Sequence, residues 1–248
     1  VVLWRRLRRR HDRPVQALFP RGRTARVLTM NGALLGVNWF IYVFAVTSGR
    51  TLDASLGYYI NPLLSVFLGM VFLREKLNRP QWIALFSAGI GVAYLTFKLG
   101  VFPWISLTLA GTFGTYGLIK KRTSLSSIHS LAVELTPLAA AAIVAIVRLE
   151  VIGTGHFING DIRTIVLFVG SSVVTVAPLL LFGIAARRIR LSDVGFMQYI
   201  APTLMFLIAV GVFREAIPLY RLFGFLFVWI GLIISTTGNL HSRIFFRR

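Results

Sequence analysis

Long apolar runs alternate with short polar clusters along the whole chain. With roughly 20 apolar residues taken as the length that crosses a bilayer, these runs predict eight membrane helices. They lie near residues 28–48, 54–73, 81–98, 101–119, 128–149, 163–187, 193–213 and 218–239. Pro80, Pro103 and Pro218 stand near helix starts, where a missing N–H breaks no helical bond. Within the apolar runs, the cluster YYINP at residues 58–62 is polar and disturbs a helix, and a near copy, QYIAP, follows at 198–202.

The spacing of charge supports the same division. Lys and Arg sit in the clusters between runs, and counting them on alternate sides places 21 on one side and six on the other. By the positive-inside rule the richer side is cytoplasmic, so both ends of the chain are expected there, in a bacterial inner membrane. A composition of 56% hydrophobic and 14% charged residues excludes an ordinary soluble domain. The formal charge of +19 therefore points to lipid head groups, and no nucleic-acid partner is expected. With no cysteine, disulfides, thiolate zinc sites and thiol catalysis are excluded. His11, His129, His156 and His241 lack metal-ligand spacing, and residues 1–26 hold nine arginines and no long apolar stretch of a signal peptide. No cofactor is expected.

The chain repeats itself at an offset of 140 residues. Asp53 matches Asp193, Tyr59 matches Tyr199, Ile60 matches Ile200, Pro62 matches Pro202, Leu64 matches Leu204, Arg74-Glu75 matches Arg214-Glu215 and Ile90-Gly91 matches Ile230-Gly231. Shared Leu or Val would mean little, but a Pro, a Tyr, an Asp and an Arg-Glu pair in one register indicate a true repeat. One period holds five spans, an odd number, so the two copies insert in opposite senses, the arrangement used for alternating access in secondary transporters. The expected fold is thus an all-α polytopic helix bundle of inverted five-helix repeats, with eight of ten helices present. Residues 1–27 form the tail of a missing helix and a basic cytoplasmic loop. Residues 28–98 carry three helices of the first repeat, 99–240 the second repeat and 241–248 a basic tail. Extending the reading frame upstream is expected to add about 60 residues with two apolar spans.

The strings GVNWFIYVFAV, LDASLGYYINPLLSVFLGMVFL, TYGLIKK, VELTPLAA and TVAPLLLFGIAARRIRLSDVGFMQYIAPTLMFLIAV resemble the RarD branch of the EamA-type drug/metabolite transporters over about residues 30–238. The resemblance implies a ten-helix inner-membrane permease of two halves around a central cavity. It also carries the label of chloramphenicol-sensitivity proteins, which names no transported solute. Arg74 and Arg214 depart from the pattern, since a smaller residue is expected beside each glutamate.

A proline inside a helix leaves the carbonyl four residues earlier without its donor. Pro62 frees Tyr58, Pro202 frees Gln198, Pro137 frees Val133 and Pro178 frees Val174, and such faces must meet protein or a water-filled cavity. Tyr58, Asn61, Gln198 and Tyr199, with Asn38 and Trp39, are the candidate substrate-binding residues; the alternative is that they hydrogen-bond between packed helices. Glu134 lies inside a span, about 10 Å from its cytoplasmic end. It is either a proton-binding or cation-recognising group or one end of an ion pair to Lys120, Lys121 or Arg122. Glu75 and Glu215 read as gate or interface ion-pair residues, Asp53 and Asp193 as helix N-caps. Gly32 and Gly36, with Gly111, Gly114 and Gly117, read as stripes for close helix contact.

The reading that gathers these features is a secondary transporter of small metabolites or drugs. Its partners are a small-molecule substrate, the bilayer and, as an open option, a second copy of the chain. A membrane assembly or regulatory component without transport activity is the alternative. An intramembrane enzyme is disfavoured, because no span carries paired aspartates, HExxH or a Ser/His constellation.

Overall fold

In a computed structural model, the structure describes residues 20, 22–100, 102–155, 157, 161–212, 214 and 219–245. His11, His156, Glu215, Pro218 and the tail of the missing helix lie outside them. The described residues form helices joined by short turns, with no strand among them. The helices are α1 (Arg23–Thr47), α2 (Thr51–Leu73), α3 (Arg79–Leu99), α4 (Trp104–Arg122), α5 (Ser127–Ile152), α6 (Ile162–Arg188), α7 (Leu191–Gln198), α8 (Ile200–Gly211) and α9 (Leu219–Phe245). Each expected run becomes a helix, except that the seventh is interrupted at Tyr199 and so gives α7 and α8. Among the described residues six stretches are long and apolar enough to cross a membrane, the last running through that interruption from Leu191 to Ile208. The fold is a polytopic membrane helix bundle.

Local chemistry sets the ends. Asn78 and Gln81 form a capping box at α3: Asn78 Oδ1 accepts from the Gln81 N–H at 2.9 Å, and Gln81 Oε1 accepts from the Asn78 N–H at 3.1 Å. Ser126 accepts from the His129 N–H to cap α5, and that helix ends at Gly153 with φ 80°. Asp53 and Asp193 are not N-caps. They lie in the first turns of α2 and α7, behind Arg50 and Arg190, where a carboxylate still favours the positive end of the helix dipole. Arg74 and Arg214, equivalent in the repeat, both adopt left-handed backbone, with φ 55° and 51°. That is the physical ground for expecting a smaller residue there, since a Cβ makes this conformation costly by about 1–2 kcal/mol.

The chain divides into two compact units, one of residues up to Gly36 with Arg122–Ile184, the other of Val37–Lys121 with Ala185 onward. In the first unit, α1 meets α5 backbone to backbone: a Cβ on Gly32 would lie 2.1 Å from the Glu134 carbonyl oxygen, and one on Gly36 would lie 2.6 Å from Leu138. Along α6 the side chains of Val166, Leu167, Val173 and Val174 are exposed, as lipid-facing positions are.

In the second unit α3 packs against α9 and α2 against α7. These contacts join equivalent positions of the repeat. Ser87 Oγ donates to the carbonyl of Phe227, its equivalent, at 2.6 Å, and Tyr199 Oη donates to the carbonyl of Tyr59, its equivalent, at 3.1 Å. A Cβ on Gly91 would lie 2.9 Å from the Gly224 carbonyl oxygen, and one on Gly231 would lie 2.9 Å from that of Ala84. Shifting either contact by 140 residues produces the other. As the residue number rises along α3 it falls along α9, so the helices are antiparallel and cross about a local twofold axis. A core of Tyr59, Ala88, Val92, Tyr199, Phe225 and Val228 fills the space beside this crossing.

Candidate functional site

The site is built where α2 faces α7 and α8 in the second unit. Asn61 lies about 15 Å along α2 from Thr51, near half the thickness of a hydrocarbon core. Its Nδ2 donates to Oε1 of Gln198 at 2.8 Å, so two candidates 137 residues apart in sequence meet. The contact is close because Gly195 lets α7 approach α2: a Cβ there would be 2.8 Å from the Pro62 carbonyl oxygen. One hydrogen bond does not satisfy both carboxamides. Asn61 Oδ1 and Gln198 Nε2 are buried with no hydrogen-bond partner, a state that costs about 1–3 kcal/mol per group.

The two prolines act differently. Helix α2 passes through Pro62 unbroken, with the Tyr58 carbonyl deprived of its donor. Pro202 is not inside a helix as expected. The chain turns at Tyr199, and Pro202 falls in the first turn of α8, where a missing N–H removes no helical bond. The Tyr199 carbonyl then accepts from the Thr203 N–H at 3.2 Å and the Thr203 hydroxyl at 2.8 Å. Pro137 and Pro178 lie inside α5 and α6 as expected.

The remaining candidates separate into surfaces and packing. Tyr58 is partly exposed and meets Tyr42 edge to face at 6.3 Å. Tyr199 is fully buried in the core and holds Tyr59 through its hydroxyl. Asn38 Nδ2 donates to the Leu109 carbonyl at 2.9 Å and to Thr112 Oγ1 at 2.8 Å, which ties α1 to α4. Trp39 beside it is partly buried. In the first unit Glu134 is completely buried and its Oε1 accepts from Asn31 Nδ2 at 3.0 Å. Asn31, Tyr42 and Thr112 were absent from the residues singled out by sequence. A polar residue inside an apolar run, directly before Gly32 in the case of Asn31, was the available signal.

At one end of the second unit, Glu75 caps α7. Its Oε1 accepts from the Leu191 N–H at 2.7 Å and its Oε2 from the Ser192 N–H at 2.8 Å. Asp193 pairs with Arg190 through two hydrogen bonds, at 3.0 and 2.9 Å, and accepts from Gln81 Nε2 at 2.9 Å. Donating those bonds to Asp193 holds the Arg190 guanidinium above its ordinary pKa. Lys120, expected in a loop, is instead fully buried in the last turn of α4 with its ammonium over the Tyr116 ring at 5.5 Å, and Lys121 donates to the Ile189 carbonyl.

Comparison with known proteins decides the family. The EamA-like transporter family model matches residues 4–97. Protein RarD of Escherichia coli is 38% identical over 217 residues, covering 88% of this chain and 73% of that protein. An uncharacterized transporter of Vibrio cholerae is 38% identical over 216 residues, covering 87% and 72%, and the uncharacterized transporter YojE of Bacillus subtilis is 42% identical over 216 residues, covering 86% and 71%. The chain belongs to the EamA-like transporter family. The resemblance to the RarD branch agrees with these relatives, and the EamA-like chain is a multi-pass membrane protein in its fold.

Proposed function

We propose that this EamA-like chain is a secondary transporter that moves a small metabolite or drug across the bacterial inner membrane by alternating access. Its two repeats, three helices of the first and five of the second, are inserted in opposite senses, and its ends lie in the cytoplasm. The observation that carries the reading is the antiparallel crossing of α3 and α9, where equivalent residues of the repeat touch one another: Ser87 with Phe227, and Gly91 with Gly224 as Ala84 with Gly231. A twofold relation between opposed halves makes the inward- and outward-open forms near equivalents, so that rocking one half against the other exposes the same site alternately on each side. Asn61 and Gln198 bind the substrate, and Pro62 adds a backbone acceptor, the Tyr58 carbonyl, at the same level. Tyr58 and Tyr42 offer an aromatic surface beside them. Glu134, buried and held by Asn31, is the proton-coupling residue.

Purified protein in liposomes loaded with pooled metabolites is expected to show counterflow of at least one solute. Absence of counterflow for every pool, with a folded protein confirmed by its thermal transition, sinks the reading. For Glu134, Glu134→Gln is expected to abolish the response of transport to an imposed pH gradient. An unaltered response in correctly inserted protein rules out the proton role.

A further inference from the structure

We infer that the Asn61–Gln198 pair is a recognition edge for a neutral solute that presents a hydrogen-bond donor and acceptor side by side, a lactam or carboxamide. The inference deepens the transport reading above and depends on it only for its purpose. Each carboxamide carries a donor nitrogen and an acceptor oxygen. Two of them could form a reciprocal pair with two bonds, but only the bond from Asn61 Nδ2 to Gln198 Oε1 is made. Asn61 Oδ1 remains as a buried acceptor and Gln198 Nε2 as a buried donor.

This demand does not depend on which amide atom is nitrogen. Exchanging N and O in both groups reverses the one bond and again leaves one donor and one acceptor. A ligand that supplies only an acceptor answers half of the site and keeps the other half unpaired, the circumstance in which buried polar sites discriminate most strongly. The edge carries no formal charge, so it matches a neutral group; an ion at this depth would bring its own desolvation cost without a counter-charge from the pair. The Tyr58 carbonyl, denied a donor by Pro62, adds an acceptor for any further N–H of the solute. Gly195 and the interruption at Tyr199 place the pair where two helices are in backbone contact, so separating α2 from α7 both opens the edge and breaks its single bond.

The test uses the full chain in detergent micelles and three cyclic probes of similar shape. 2-Piperidone carries both groups, N-methyl-2-piperidone keeps only the acceptor, and cyclohexanone also keeps only the acceptor. Ligand-observed NMR is expected to give saturable binding of 2-piperidone, at least tenfold tighter than either control. Asn61→Leu and Gln198→Leu should each weaken it at least tenfold, whereas the double exchange Asn61→Gln with Gln198→Asn should keep the preference for 2-piperidone. Equal binding of the N-methyl compound, no binding of 2-piperidone, or binding indifferent to both leucine variants would falsify the assignment. Counterflow in liposomes separates the two readings. Amide-selective binding without transport of any solute leaves the edge standing and removes the transporter; transport of other solutes without amide-selective binding does the reverse.

Discussion

Gly32→Ala tests the contact between α1 and α5 at its tightest point. The added Cβ would lie 2.1 Å from the Glu134 carbonyl oxygen, 2.9 Å from its carbonyl carbon and 3.1 Å from its Cα. All three are backbone atoms, so no side-chain rotation relieves them. Restoring contacts near ~3.5 Å requires the helices to part by more than ~1 Å. The hydrogen bond from Asn31 Nδ2 to Glu134 Oε1, now 3.0 Å, then passes the limit of useful geometry. Overpacking costs about 1–3 kcal/mol, and orphaning a buried amide adds about 1–3 kcal/mol. At roughly 2–4 °C per kcal/mol for a chain of this size, the thermal midpoint should fall by roughly 5–20 °C. The assay is tryptophan fluorescence on heating in detergent, with Gly89→Ala and Gly170→Ala as controls, because a Cβ at either meets nothing within 4 Å. A midpoint for Gly32→Ala within about 2 °C of the parent, alongside unchanged controls, would show that the helices are not in backbone contact there.

The same reasoning reaches other contacts. Gly91→Ala and Gly231→Ala should destabilise to within about 0.5 kcal/mol of each other, because their clashes are related by the twofold axis at 2.9 Å each; unequal losses in chemical denaturation would argue against that symmetry. Glu75→Ala removes two charge-assisted bonds to the start of α7, each worth about 1.5–3 kcal/mol, and should lower the thermal midpoint, with Glu75→Gln recovering part of it. A double-mutant cycle between Asn38 and Thr112 should return a coupling of about 0.6 kcal/mol, the scale of an interhelical bond in a membrane protein, and a coupling of zero would deny the contact.

Much of the site was readable because lipid makes polarity conspicuous. Asn61, Gln198 and Glu134 stand out within apolar runs, and in hydrocarbon each must find a partner. The partner itself was not readable. Nothing in the order of residues distinguishes Tyr199, buried with its hydroxyl on the Tyr59 carbonyl, from Tyr58, partly exposed beside Tyr42. The glycine stripes show the same limit. Gly32, Gly36 and Gly114 sit against a neighbouring helix, whereas a Cβ on Gly111 would meet nothing within 4 Å. A small residue permits close approach, but only the neighbouring helix determines whether it occurs.

Hydropathy, the charge alternation and the 140-residue offset determined the helical class, the apolar runs that become helices and the equivalence of Tyr59 with Tyr199 and Ser87 with Phe227. These follow from the solvent and from covalent order, which act on the chain segment by segment. Tertiary structure decided the rest. It brought equivalent residues into direct contact across an antiparallel crossing, broke one repeat at Tyr199 while leaving α2 whole through Pro62, and set Asn61 against Gln198 with one donor and one acceptor to spare. The reason is physical: a hydrogen bond or a backbone contact depends on the positions of two segments at once, and the period of either segment alone does not specify where the other lies.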